Sequence, residues 1–411
     1  MNTSASQQKI TVPLTSKKKW VIFILAVTQF TVVLDFMIMS PLGDFMMKSL
    51  SMKPAAFGIA VSAYAFSAGL SGILTAGFAD RFDRKKLLIF FYTGFIIGTI
   101  FCGLSHSYIQ LVAARIFTGL FGGVIGSISL AIISDLFTLE ERGRVMGFVQ
   151  MGFGASQVLG IPIGLYVANL WDWEAAFLLV AAIAIFIAVL LVFKLPSVNE
   201  HLKLQQDKSA LLHLWHTVKK KNHRIGFSAM ATLSIGGFMM FPFGSAYAVN
   251  NIGVSASELP VLFFISGVSS LVIMPAIGKL SDKISKFKIF TVACIWMMIM
   301  VLVYTHLGIT QFWLVIVLNI LMMMGIMSRM IPATALVSAV PDMKDRGAFM
   351  SINSSMQQIA GGVAAAIAGL IVVQQHKSAP LEHYNVVGYL VVVFSLLSIY
   401  LLYRVTKLIK R

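Results

Sequence analysis

The chain has 411 residues, of which 58% are hydrophobic and 12% charged, and its formal net charge is +16. A soluble domain carries about 25% charged residues, so this composition excludes a water-facing surface over most of the chain. Apolar runs of about 20 residues recur from end to end, and in a bilayer such runs must be helices, because every backbone N–H and C=O has to be satisfied without water.

A polar tail carrying Lys17, Lys18 and Lys19 precedes the first run, 20–42. That run is too long for a signal-peptide core and no small-residue cleavage site follows it, so it is expected to remain as the first span. Runs at 57–78, 87–104, 109–133, 145–170 and 175–193 come next. After a mostly polar, basic stretch the pattern resumes at 225–249, 259–277, 289–304, 312–337, 348–373 and 386–403. The predicted organisation is an N-terminal six-helix bundle (1–194), a central linker (195–224) and a C-terminal six-helix bundle (225–411), an all-α membrane protein of twelve spans.

With the N-terminus inside, 27 of the 32 Lys and Arg residues fall on one side and three (Lys48, Lys53, Lys377) on the other, while Arg115 and Arg329 lie within spans. This is a strong positive-inside bias. The basic charge is therefore a topology signal that places both termini and the linker in the cytoplasm, and no nucleic-acid partner is expected. Cys102 and Cys294 both lie inside apolar runs, which leaves no disulfide framework and no metal-ligand spacing.

The two halves echo each other. The loop GFADRFDRKK after the second run aligns with GKLSDKISKFK after the eighth at an offset of 202, through Asp80-Arg81 and Asp282-Lys283. Arg142-Gly143 and Arg346-Gly347 repeat at an offset of 204. Two matched pairs at nearly one offset imply duplication about an axis along the membrane normal.

These residues resemble the major facilitator superfamily, and the twelve-span drug/proton antiporter branch in particular. The family's loop signature, Gly-x-x-x-Asp-Arg-x-Gly-Arg-Lys, is matched by Asp80, Arg81, Arg84 and Lys85, with Ala76 and Asp83 standing where glycines are usual. The second half keeps Gly278, Asp282 and Lys283. The fourth run is similar to the family's Arg-x-x-x-Gly motif through Arg115 and Gly119. The fifth resembles the antiporter motif through Gly152, Gly160, Pro162 and Gly164, with an isoleucine in place of the glycine before the proline. The resemblance implies alternating access, with the first and fourth spans lining a central cavity.

Each motif has a physical reading. Asp80 is expected at the start of the eleventh span, against its exposed N–H groups, with Arg81 or Arg84 paired to Asp135; Asp282 belongs to the corresponding loop of the second half. Together they would latch the halves on the cytoplasmic side; otherwise they are solvated topology anchors. Small residues in the fifth span allow close helix approach, and Pro162 removes a backbone bond and kinks it.

Ionisable groups inside spans are costly and usually functional. Counted at ~1.5 Å per residue, Asp35 and Arg115 lie at similar depth near the outer face. They form either a proton-coupling site, a static pair that fixes helix packing, or an arrangement with Asp35 facing the outer vestibule. Arg329 lies ~25 Å from the outer face by the same rise, and either attracts an anionic substrate group or snorkels to the headgroups. Asp44, Glu174 and His306, near outer ends, are expected to be solvated. Met239, Phe243, Gln29, Asn319 and Gln357 are candidate cavity residues; their alternative is ordinary core packing or helix–helix hydrogen bonding.

No Walker loop, metal cluster or nucleophile arrangement is found, so no enzymatic activity and no cofactor are expected. The expected function is a proton-coupled exporter of drug-like or small amphipathic compounds, a monomer in a bacterial inner membrane whose partners are its small-molecule substrate, protons and the bilayer. The alternatives are a uniporter, an importer, an exporter of one sugar, amino acid or siderophore, or a non-transporting receptor on the same fold.

Overall fold

The computed structural model describes residues 15–76, 78–200, 202, 210–342 and 345–409. Among them are twelve helices long and apolar enough to cross a membrane: Ser16–Ile38, Pro54–Thr75, Arg84–Gly103, Tyr108–Leu136, Glu141–Leu170, Trp173–Lys194, Lys221–Ile252, Leu259–Ser281, Lys286–Thr305, Phe312–Val337, Arg346–Ile371 and Tyr384–Ile409. They correspond one for one to the expected runs and are the first to twelfth spans below. No strand occurs among the described residues; Val373 and Glu382 form an isolated bridge in the last connection.

Polar caps mark where the chain meets water, because only there can the orphan N–H groups of a helix start find side-chain partners cheaply. Asp83 accepts hydrogen bonds from the backbone N–H groups of Lys85 (2.8 Å) and Lys86 (3.2 Å) and opens the third span. Asp172 opens the sixth by accepting from Trp173 N at 2.8 Å. Thr138 and Glu141 form a capping box at the fifth. The first span ends at Ile38, short of the expected Leu42, because a separate helix, Gly43–Ser49, begins there.

Two spans are interrupted. In the fifth, a π-helical turn, Ser156–Gly160, precedes the α-helix Ile161–Leu170, whose second residue is Pro162. Proline has no N–H to donate, and a widened turn accommodates the missing bond. In the seventh, the helix Lys221–Phe238 gives way to a 3-10 turn, Phe241–Phe243, around Pro242, and the span ends at Gly253 in the left-handed region at φ +86°.

The buried apolar residues form separate cores at one end of the molecule and a shared core at the other. Toward the basic face, where the first span begins, Ile24, Leu88, Ile132 and Leu191 belong to a core built only from the first half. Phe227, Phe290, Phe349 and Leu402 belong to one built only from the second. Toward the far face a single core takes Leu34, Phe57 and Phe177 from the first half and Phe243, Tyr304 and Val387 from the second. Around the outside, large apolar side chains such as Phe90, Phe193 and Leu370 are exposed, which is the surface a bilayer covers.

Hydrogen bonds across the halves follow the shared core. Ser245 Oγ donates to the Ser40 carbonyl at 2.7 Å, and Ser40 Oγ donates to the Phe241 carbonyl. Asn250 Nδ2 donates to Asp44 Oδ1 at 2.6 Å, and Asn169 Nδ2 to the Ala256 carbonyl at 3.1 Å. The second and eleventh spans meet backbone to backbone: a methyl group at Gly58 would lie 2.7 Å from the Ala365 carbonyl oxygen. Asp44 is therefore buried and held by Asn250 and by Lys48 at 2.7 Å, not solvated as its position near a span end suggests. Glu174 departs from expectation too, with Oε2 buried. His306 is exposed and bonded to the Tyr389 hydroxyl at 2.9 Å.

Candidate functional site

The first half holds a buried ion pair on which five spans converge. Asp35 Oδ2 accepts a hydrogen bond from Arg115 Nη1 at 2.8 Å, and Asp35 Oδ1 accepts one from Thr99 Oγ1 at 3.0 Å. The guanidinium lies 4.4 Å from the centre of the Tyr64 ring and 5.9 Å from that of Phe177, a cation–π arrangement. Asp35 is 0% exposed and Arg115 1%. Those values leave no access from an outer vestibule in this conformation and put the pair inside the bundle. Gly119, one turn after Arg115, makes room for it: a methyl there would lie 2.5 Å from the Tyr64 carbonyl oxygen. The Arg-x-x-x-Gly spacing thus brings the fourth span onto the second so that Tyr64 can cover the arginine.

The next residue along, Phe36, faces the other half. Its ring contacts Phe238 (centroids 6.0 Å) and Phe241 (6.3 Å) of the seventh span, and Tyr64 (5.3 Å) of its own half. A continuous path of contacts therefore joins Asp35 and Arg115 to the interface between halves. Thr99, Tyr64 and Phe36 escape sequence reasoning, because a Thr or an aromatic in an apolar run carries no mark of its partner.

The small residues of the fifth span pack against the first span on the other side of Asp35. A methyl at Gly152 would lie 2.5 Å from the Ala26 carbonyl oxygen, one at Gly160 2.7 Å from the Leu34 side chain, and one at Gly164 would overlap Ile38. The π turn has a second contact, since a methyl at Gly267 of the eighth span would lie 2.9 Å from the Gln157 backbone. The fifth span is thus wedged between its own first span and the eighth span of the other half, with Pro162 between the contacts of Gly160 and Gly164.

At the basic face Arg84 Nε donates to Asp135 Oδ2 at 3.3 Å. The pair joins the third and fourth spans within one half, so it braces that half and does not bridge to the second. Arg81 is exposed, and the side chains of Asp80 and Asp282 lie outside the described part. Lys18 and Glu141 pair at 2.6 Å between the first and fifth spans. Across the linker, Asp345 before the eleventh span accepts from Lys220 Nζ and from the His213 ring, the latter at 3.1 Å. The Lys220 ammonium, then the His213 ring, hold the Asp345 carboxyl down at about 2.

The cavity candidates separate. Met239 and Phe243 are fully buried in the far-face core. Gln29 is half-buried between the first, fourth and fifth spans, its Oε1 3.4 Å from where a methyl at Gly126 would fall. Asn319 Oδ1 accepts from Ser266 Oγ of the eighth span at 2.8 Å, and Gln357 Nε2 donates to the Asn353 carbonyl of its own helix at 3.4 Å. Arg329 is 1% exposed inside the second half, which removes the headgroup-snorkelling alternative.

Twelve spans in two bundles, with a buried ion pair beside their interface, define a multi-pass membrane carrier. The model of the Major Facilitator Superfamily matches residues 25–365, and the chain belongs to that family. It is 27% identical over 355 residues to an uncharacterised MFS-type transporter, YbcL, of Bacillus subtilis (strain 168), covering 86% of this chain and 89% of that one. It is 37% identical over 99 residues to the multidrug resistance protein fnx1 of Schizosaccharomyces pombe, 24% of this chain and 19% of that one. Among solved structures, a bacterial homologue of the human lysosomal transporter Spinster, inward-facing and occupied, superimposes with a TM-score of 0.77 at 14% identity, covering 96% of this chain and 98% of that one. The chain is thus a transporter of small molecules in a membrane setting.

Proposed function

We propose that this chain is a proton-coupled exporter of drug-like or small amphipathic compounds that works by alternating access, with its basic face cytoplasmic. The observation that carries the reading is the position of Asp35: both carboxylate oxygens are engaged within one half, by Thr99 and Arg115, while the adjacent Phe36 packs on the other half. When the far face opens, Phe36 leaves Phe238 and Phe241, the first span shifts against the third and fourth, and water reaches the carboxylate. Asp35 takes a proton in that state and releases it to the cytoplasmic side after closure, when Arg115 again sits against it. The Arg84–Asp135 brace keeps the first half rigid during the movement, and the fifth-span wedge guides its contact with the eighth span. The partial likeness to a multidrug resistance protein supports export of drug-like compounds.

The test is transport in liposomes under an imposed pH gradient, with a panel of lipophilic cations, neutral drugs and organic anions. Wild type is expected to move a panel member against its own gradient, and Asp35→Asn only to equilibrate it. Full gradient-driven transport by Asp35→Asn would make the pair a packing element, and downhill flux indifferent to pH in both proteins would replace antiport by facilitated diffusion.

A further inference from the structure

Arg329 is a buried cation with no counter-ion among the described residues. It stands 17 residues into the tenth span and eight before its end at Val337, well inside a hydrocarbon core about 30 Å thick. Its guanidinium is 1% exposed, and Nε and Nη1 have no hydrogen-bond partner. Its neighbours are the Cys294 thiol of the ninth span and the backbone of Gly237 in the seventh, where a methyl would lie 3.1 Å from Nη2. Arg115 shows the contrast, since it is equally buried but sits on a carboxylate.

The vacancy is written into the sequence as well as the packing. From residue 225 onward the acidic residues are Glu258, Asp282, Asp342, Asp345 and Glu382. All five lie at span ends or in connections. None stands within a span, as Arg329 does. In the first half, Asp35 is committed to Arg115 and Asp44 to Lys48 and Asn250. An unpaired charge at this depth is costly and is expected to serve a ligand or an ion.

The location suits a ligand. Gly237, which the guanidinium approaches, directly precedes Phe238, the residue that meets Phe36 across the interface between halves. Movement of the halves that separates Phe36 from Phe238 therefore acts one residue from the Arg329 contact. Guanidinium groups bind carboxylate, sulfonate and phosphate oxygens through charge-assisted N–H donors, and Nε and Nη1 both carry donors without a partner.

We propose that Arg329 recognises an anionic group, a carboxylate, sulfonate or phosphate, on the transported substrate. The assignment rests on reading the chain as a carrier of small amphipathic compounds and narrows that class to organic anions. It does not depend on Asp35 being the proton site.

Thermal unfolding of the purified full-length protein in detergent tests it, with benzoate, benzenesulfonate and phenyl phosphate as probes, benzamide as the uncharged control, and chloride and inorganic phosphate as separate arms. At least one aryl anion is expected to raise the unfolding temperature saturably while benzamide does not. Arg329→Gln is expected to weaken that response about tenfold or more, the consequence of removing one member of a buried charge pair. Arg329→Lys should retain part of it. In the absence of any probe, Arg329→Met should unfold at a higher temperature than wild type, because it removes an uncompensated charge. A lower unfolding temperature for Arg329→Met, no response to any aryl anion, or an equal response in Arg329→Gln would each overturn the proposal. A saturable response to chloride or inorganic phosphate alone, lost in Arg329→Gln, would assign the site to a free inorganic anion and overturn it as a substrate site. Asp35→Asn should keep the anion response, so loss of proton coupling and loss of anion recognition are read separately.

Discussion

The Asp35–Arg115 pair is costly to break from one side. With both groups buried and Arg115 Nη1 at 2.8 Å from the carboxylate, removal of one partner leaves an uncompensated charge, an effect of about 3–5 kcal/mol. Arg115→Ala should therefore destabilise the protein by about that much in detergent unfolding, and the double variant Asp35→Ala/Arg115→Ala by clearly less. Additive losses would mean that the two do not act as a pair. Asp345 gives a residue-scale prediction in pH. Lys220 and His213 depress its carboxyl to about 2, below the ordinary aspartate value of about 3.9. The stabilisation is thus complete above about pH 4 and is lost as the pH falls through about 2. The difference in unfolding temperature between wild type and Asp345→Asn should be flat from neutral pH down to about pH 5 and shrink only below about pH 4. A difference that already shrank between pH 7 and pH 5 would mean that the Asp345 carboxylate does not carry the effect.

Among the elements, the fifth span is where the backbone geometry does most. Its glycines let it lie against the Ala26 carbonyl, Leu34 and Ile38, while its π turn touches the eighth span. Gly152→Val should force the first and fifth spans apart, at about 1–3 kcal/mol for overpacking, and make liposomes leaky to protons. Gly147→Ala is the control: nothing lies within 4 Å of the added methyl, and replacing a helical glycine should stabilise by about 1 kcal/mol or less. Equal effects of the two substitutions on unfolding temperature would show that glycine content and not contact governs this span.

For the whole molecule, the shared far-face core and its polar rim join the two halves on one side. Asp44 and Asn250 form one of the hydrogen bonds that cross between halves there. Asp44→Ala removes that bond and shifts the population toward far-face opening. Cys102 and Cys294 are buried, so a cysteine placed at the buried Ser40 reports the opening by its labelling rate with a membrane-impermeant maleimide. Labelling of Ser40→Cys should be severalfold faster when Asp44→Ala is also present. An unchanged rate would mean that apolar packing alone keeps this face shut.

Spans, their number and the charges deep within them were legible in the chain because the bilayer imposes one rule on every residue. A run of apolar side chains about 20 long has no other stable state in lipid, and an ionisable group within it stands out against that background. The same rule made Asp35, Arg115 and Arg329 visible, and the near-constant offset between loops made the repeat visible. What each charge meets depends on how twelve helices are rotated and tilted against one another, and that is decided by packing at single residues such as Gly119 and Gly152. Hence Asp35 and Arg115 share a partner set that includes Thr99 and Tyr64, Arg84 braces its own half, Asp44 is buried, and Arg329 meets no carboxylate among the described residues. Hydrophobicity acts residue by residue and can be read along a line, whereas pairing is a property of surfaces brought together from distant parts of the chain.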